Sequence, residues 1–318
     1  MIDFEAGDLV PIANLVRNDL VESQHFGIAC LVDPSGKLLA EHGNSKKLIY
    51  PRSAVKPLQA VAARRAGLRL AGAELAISAG SHHGTKAHTD LVLSILNSVG
   101  LGEEALQCPV AWPTNSAARA QATEETKACF NCSGKHAGFL AACVAAGWST
   151  DSYLDPTHPL QKLIVEVFEE YSGEPVSHST VDGCGAPLHA VSLLGLAKAL
   201  GKFASEDSET AQAMMQNPWA VADAKSPDAL IMQHGSSSKT GIVSKLGAEG
   251  VFIVANTDGF AAAVKVADGA LRPAPLVAIK LFLDHGLMTQ EVHDQLATQI
   301  APEVLGGDNP VGYFAASI

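Results

Sequence analysis

No stretch of this chain approaches the roughly 18 consecutive apolar residues that a bilayer-spanning helix needs, so the sequence predicts no membrane-embedded part. Positive charge is also scarce: 22 Lys and Arg stand against 33 Asp and Glu, a net charge of −11. Without a basic cluster, nucleic acid and anionic membrane surfaces are poor partners. Cysteine is too sparse for a disulfide scaffold, with six in 318 residues, and the start, Met1-Ile2-Asp3-Phe4-Glu5, lacks the basic region and apolar core of an export signal. The expectation is therefore a cytoplasmic protein whose thiols stay reduced and serve as core filling or metal ligands. Internal repeats and low-complexity linkers are missing too. What is present, 47% apolar and 17% charged residues, suits an ordinary globular protein with ample material for a large core.

The order of hydrophobic periods predicts α+β. Residues 27–32 and 37–43 are short apolar runs joined by Asp33-Pro34-Ser35-Gly36, whose proline and glycine positions suit a type I turn and hence a hairpin. The middle of the chain is helical in period. Residues 88–99, 135–146, 160–172 and 187–200 carry apolar faces and stop at Gly100, Gly147, Gly173 and Gly201, as helices often do. After residue 240 the period becomes extended over 241–246, 251–256 and 260–266, and two helical segments follow near 275–285 and 289–300. The economical assembly is one domain, 1–318, with a sheet of about five mostly antiparallel strands flanked by helices. A helical segment of about 52–235 is then inserted between the first hairpin and the late strands. Penicillin-binding enzymes and serine glutaminases use a similar strand–helices–strand order.

Chemistry concentrates at Ser53-Ala54-Val55-Lys56. A serine hydroxyl attacks well only if its proton is removed, and a lysine three residues on lies on the same helical face. Pro57 is tolerated only in the first turn, so the helix should begin near Ser53–Ala54, where free N–H groups favour an oxyanion. A plain serine N-cap is the alternative. Ser81-His82-His83-Gly84 offers a second hydroxyl, for proton relay or substrate binding, or else a surface loop. Lys265, within the apolar run Val264-Lys265-Val266, points either to solvent or into a polar pocket. Cys132, in Asn131-Cys132-Ser133-Gly134-Lys135-His136, and Cys184, in Asp182-Gly183-Cys184-Gly185, both precede helical patterns. They are read either as buried free thiols or, with a third group, as an open zinc site. Lys239-Thr240-Gly241 spells the third motif of penicillin-binding enzymes, but no Ser-x-Asn element accompanies it.

Taken in order, these blocks resemble the Rhizobium-type, or type III, L-asparaginases, also called the asparaginase II family. The series runs Val21-Glu22-Ser23-x-His25-x-Gly27, Arg52-Ser53-x-x-Lys56-Pro57, Ser81-His82-x-Gly84 and Asn131-Cys132-Ser133-Gly134-Lys135-His136-x-Gly138. It continues with His158-Pro159-Leu160-Gln161, Asp182-Gly183-Cys184-Gly185-x-Pro187, Lys245-x-Gly247-Ala248-Glu249-Gly250-Val251 and Lys265-x-x-Asp268-Gly269. The resemblance implies hydrolysis of L-asparagine through an acyl-enzyme, with two Ser–Lys pairs in one pocket. Ser53 would be the nucleophile with Lys56 as its base, and Ser81 would pair with Lys265. It also implies zinc on Cys132, Lys135 and Cys184, contacts to substrate or ligands from Arg52, His136 and Asp182, and a homodimer. Where the family reads Cys-Gly-x-His-x-Pro, this chain has Cys108-Pro109-Val110-Ala111-Trp112-Pro113. The alternatives are another Ser-x-x-Lys hydrolase, acting on glutamine or penicillins, and a degenerate zinc-dependent binder.

Overall fold

The computed structural model describes residues 4–235 and 240–318, so Met1–Asp3 of the amino-terminal reading and Lys239 of the Lys-Thr-Gly triplet lie outside the described residues. The strands in chain order are β1 (Val10–Arg17), β2 (Leu20–Val32), β3 (Leu38–His42), β4 (Leu48–Ile49), β5 (Ser179–Val181) and β6 (Pro187–His189). They continue as β7 (Val191–Ser192), β8 (Ile242–Gly247), β9 (Val251–Asn256), β10 (Ala261–Val266), β11 (Val304–Gly306) and β12 (Asn309–Ala316). The chain divides into two compact units, Met1–Ala54 with Ala190–Ser205 and Leu230–Ile318, and Val55–His189 with Glu206–Ala229.

The first unit is built on one antiparallel sheet of order β11-β12-β1-β2-β10-β9-β8, with β3 also paired to β2. The expectation of about five strands is corrected to seven along the path plus β3. The expected strands are present, and the additional ones have physical causes. β1 carries Pro11, and its ladder with β2 shifts register between Pro11 and Ala13 and again between Leu15 and Val16. Those bulges break the period of two by which a strand is recognised. The β1–β2 turn is the pair Asn18-Asp19, both at positive φ (44° and 65°), a mirror-image turn whose twist suits a two-residue hairpin.

Alternation along β2 sorts its side chains. Ala29 and Leu31 join Ile12, Phe252, Val254, Ala262 and Val264 in a core that takes Val277, Ile279 and Phe282 from the Ala274–Asp284 helix. Cys30 points the other way, and its thiol donates to the Leu193 carbonyl at the start of the Leu193–Glu206 helix (3.8 Å). Burial pushes the Cys30 pKa up to about 12, so this thiol is inert filling. The helix expected over 187–200 is a second correction: β6 and β7 occupy its first residues, and the helix runs from Leu193 through Gly201 to Glu206. Gly201 is no stop signal. A Cβ there would meet Ala261 Cβ at 3.4 Å and crowd the Gly259 carbonyl, so the glycine lets the helix lie close to the sheet.

The second unit is helical. Lys56–Arg65, Gly72–Ser78, Lys86–Ser98, Ser133–Ala146 and Pro159–Ser172 are its main helices, and β5–β6 forms a small hairpin. Gly147 and Gly173 end two of them in the left-handed conformation (φ 68° and 71°), as their sequence positions predict. Gly134 explains how the Ser133–Ala146 helix is placed: a Cβ would come within 2.6 Å of the Ile77 carbonyl oxygen, so its first turn sits directly on the Gly72–Ser78 helix. No helix among the described residues is long and apolar enough to cross a membrane.

Candidate active site

Lys56 opens the first helix of the second unit and is 1% exposed. Its Nζ donates to the Gly80 carbonyl at 2.6 Å and lies 2.9 Å from Ser81 Oγ. A buried amine must find such partners, and here they come from the bend that follows the Gly72–Ser78 helix. Gly80 is required in that bend, because a Cβ would meet the carbonyl oxygens of Val221 and Ala220 at 2.8 and 2.9 Å. Ser81 N–H donates to the same Val221 carbonyl at 2.6 Å. Within the second unit, the amine on the Ser81 hydroxyl is that of Lys56.

His82 anchors this bend to the next loop. Its N–H donates to Asn131 O at 3.1 Å, and its Nε2 lies 2.8 Å from Ser133 Oγ. Ser133 Oγ gives its own hydrogen to Ala128 O at 2.8 Å, so Nε2 carries the hydrogen between them. Nδ1 then accepts from Gly84 N–H at 3.2 Å. Burial, with His88, Lys56 and His83 nearby, holds the His82 pKa well below 6.5. Burial likewise lowers His88 and His189. The unfolded chain protonates these rings near 6.5 and the folded chain does not, so below that pH unfolding takes up protons and stability falls. The slope reaches about 1.4 kcal/mol per pH unit for each ring kept neutral. Urea midpoints at pH 7.5 and 5 should therefore diverge in wild type and diverge less in His82→Gln; equal divergence would show that His82 contributes nothing.

Asn131 leads into Cys132, the residue before the Ser133–Ala146 helix, and thus Lys135 and His136 fall on its first turn. Cys184 comes from the bend between β5 and β6, where Gly185 adopts φ 87° and its N–H donates to Asp182 O at 2.8 Å. The two cysteines are buried together with Ala186, against Phe130 and Leu154. Lys135, 2% exposed, places Nζ 3.0 Å from Cys184 Sγ. A hydrogen bond from Cys184 is the main reason that the Cys132 pKa lies far below its usual range, with the charges of Lys56 and Lys135 adding to it against burial. Cys184 is raised, first by that same bond and then by burial. Burial pulls the Lys135 pKa down, but Cys184, Cys132 and Asp182 together outweigh it and leave the group raised. Among the described residues no trio of His, Cys, Asp or Glu is arranged for a metal. With the Lys135 amine as third donor, however, two converging thiols and a nitrogen make a set that fits zinc, with a position left for a further ligand.

In the first unit, Arg52 and Ser53 lie on a 3-10 turn, Arg52–Val55, that precedes the Lys56 helix; the helix itself starts at Lys56 rather than at Ser53–Ala54. Arg52 has φ 51°, a left-handed conformation that costs a non-glycine residue free energy and is often held at working sites. Its guanidinium lies 3.9 Å from Glu249, itself at φ 61°. Among the described residues the Ser53 hydroxyl has no hydrogen-bond partner. Lys265, half-buried on β10, donates to the Glu249 carbonyl. Burial lowers its pKa, assisted by Arg52 and opposed by Glu249 and Asp268.

The structure thus gathers Lys56, Ser81, Cys132, Lys135, His136, Asp182 and Cys184 in the second unit and Arg52, Ser53 and Lys265 in the first. Sequence reading missed Glu249 and Tyr153 as partners of these groups. Glu249 stood inside a recognised block without a role, and Tyr153 carried no signal at all.

The model of the L-asparaginase II family matches residues 13–316. The chain belongs to this family. No curated protein matches it. Among solved structures it is similar to a β-lactamase from Mycobacterium bovis at 17% identity and a TM-score of 0.41, over 81% of this chain and 94% of that one. Similar too is Mglu in its native form, at 14% and 0.45, over 86% and 68%. The octameric penicillin-binding protein homologue from Pyrococcus abyssi gives 12% and 0.39, over 82% and 73%.

Proposed function

We propose that the protein is an L-asparaginase, an amidohydrolase that converts L-asparagine to L-aspartate and ammonia through a serine acyl-enzyme. The observation that carries this reading is the buried Lys56 amine bonded to the Ser81 hydroxyl at 2.9 Å in a member of an asparaginase family. Amine and hydroxyl at that distance can pass a proton either way once the amine is deprotonated.

In this reading Ser53 is acylated. It stands on a turn entered through the strained Arg52, three residues along the chain from Lys56. Lys56 Nζ takes the Ser53 proton as Oγ bonds to the side-chain amide carbon. Unpaired N–H groups at the start of the helix after Ser53 stabilise the oxyanion. As the C–N bond breaks, Ser81 passes its proton to the leaving nitrogen and regains one from Lys56, which releases ammonia. Water then repeats the sequence in reverse order and frees aspartate. Arg52 and Asp182 provide opposite charges suited to an amino acid's carboxylate and ammonium, and Lys265 is the second amine of the pair first read from sequence. Cys132, Lys135 and Cys184 would hold zinc, which when bound supplies a positive centre to orient a polar substrate group. A cytoplasmic homodimer acting on a free amino acid completes the reading.

Ammonia release from asparagine and glutamine, with and without chelator, tests it alongside Ser53→Ala and Ser81→Ala. Expected are preference for asparagine, loss of turnover in both variants, and a mass gain on the Ser53 peptide after acid quench. Full activity in Ser53→Ala would remove Ser53 as nucleophile. Ammonia from neither amide, with binding retained, would make the protein a binder instead.

A further inference from the structure

Four described residues other than glycine hold the left-handed backbone conformation, Asn18, Asp19, Arg52 and Glu249. The first two form the β1–β2 turn, where short polar side chains tolerate it. Arg52 (φ 51°) and Glu249 (φ 61°) have no such excuse, and they carry opposite charges. Arg52 Nη1 lies 3.9 Å from Glu249 Oε1. Glycine would occupy position 249 without strain, so a glutamate held there points to a use for its side chain.

The backbone of residue 249 is held separately from its carboxylate. Lys265 Nζ donates to the Glu249 carbonyl, and Val266 N–H donates to Gly250 O at 2.9 Å. These bonds tie the β8–β9 turn to the end of β10 wherever the side chain lies. The Glu249 side chain is 67% exposed, against 27% for Arg52. It lies over Gly269, where a Cβ would come within 2.7 Å of Oε2. At 3.9 Å the two charges attract without a hydrogen bond. A carboxylate gripped by a guanidinium makes two N–H···O bonds of about 2.7–2.9 Å. Giving up the first arrangement for the second loses little and gains more, since an exposed ion pair is weak.

We propose that Glu249 is a place-holder for the substrate's α-carboxylate: its side chain stands against Arg52 in the free enzyme and swings into water when an amino acid's carboxylate takes the guanidinium, while its carbonyl keeps hold of Lys265. Glu249 thus determines specificity by competition. A ligand with an α-carboxylate displaces it, and one without leaves the Arg52–Glu249 pair closed. The inference rests on the reading of Arg52 as the group that receives the carboxylate of asparagine.

Glu249→Gln removes the competing charge and keeps the shape. Hydrolysis of the side-chain amide is measured for L-asparagine and for its α-amide, which has the same side chain but no carboxylate. The ratio of their kcat/KM values should rise about two- to fivefold in the variant, the worth of one exposed ion pair. A merely structural role for Glu249 would move both substrates alike; an unchanged or lowered ratio overturns the inference. Glu249→Gly, which also frees the backbone at that position, should raise the ratio equally and serves if Glu249→Gln does not fold. Titration calorimetry supplies an arm independent of turnover. Binding of L-aspartate should tighten by the same factor in the variant and that of L-isoasparagine, its α-amide, should not; equal aspartate affinity in wild type and variant overturns the inference. Where either amide is not turned over, calorimetry alone decides. Ammonia from neither, with aspartate binding tightened as expected, sinks only the asparaginase reading. A protein that binds neither asparagine nor aspartate overturns both.

Discussion

Lys56→Met should lower kcat for asparagine by about 10²- to 10⁴-fold, the usual contribution of a positioned acid–base group, with KM changed little. Methionine matches the length of the lysine stem and suits a site where Lys56 is 1% exposed, so the fold should survive. What is lost is the amine between the Gly80 carbonyl and the Ser81 hydroxyl. Groups that act as one unit lose their function together. Ser81→Ala added to Lys56→Met should therefore cost far less than the two single losses multiplied. Steady-state ammonia release on the four proteins checks both statements. Multiplicative losses would mean that the two groups work independently and that the 2.9 Å bond is structural. A further control is Lys265→Met: because the Lys265 amine lies on the Glu249 carbonyl, its loss should not be masked by Ser81→Ala.

Much of this site was legible before any coordinates. Ser-x-x-Lys, Ser-His-His-Gly and the two glycine-lined cysteines are local spellings, and local spacing survives folding. Lys135 and Cys132 fall on one helical turn because they are three residues apart, and that was readable. The cross-chain pairing was not. Which lysine meets Ser81 depends on where the bend after the Gly72–Ser78 helix docks, and Gly80 decides that by fitting beneath the Val221 and Ala220 carbonyls. No period in the sequence encodes such a fit.

The fold shows the same division. β8, β9 and β10 announced themselves as clean apolar runs because they are buried on both faces. β1, the exposed first half of β2 and β12 are hard to read as strands: bulges and Pro11 interrupt β1, and exposure of consecutive residues in β2 and β12 removes the alternation that makes a strand visible. The helix expected from residue 187 failed for a different reason. Pro187–Ser192 is buried throughout, His189 and Ser192 included, and a short buried run without alternation reads equally well as helix or strand.

Gly247→Ala should be nearly as damaging to turnover as loss of Lys56, although residue 247 has no side chain to contribute. It ends β8, and a Cβ there would overlap the Pro51 carbonyl oxygen, sit 3.2 Å from Ala54 N and press on Val251 Cβ at 3.1 Å. Pro51 and Ala54 bracket Ser53, and the Ala54 N–H closes the turn by donating to Pro51 O at 3.1 Å. The obstacles are backbone atoms, so relief must come from moving the turn that carries the nucleophile. A displacement of about 1 Å at a reacting group can cost about 10²-fold in rate, while overpacking of this size destabilises by about 1–3 kcal/mol. The expected result is a folded protein with a lowered unfolding midpoint, a kcat reduced about 100-fold and zinc affinity unchanged, since the cysteine cluster belongs to the other unit. Ammonia assays, urea unfolding and dye competition on one preparation separate these effects. Unchanged kcat with the stability loss present would show that the Ser53 turn tolerates displacement, and would take Ser53 out of the reaction.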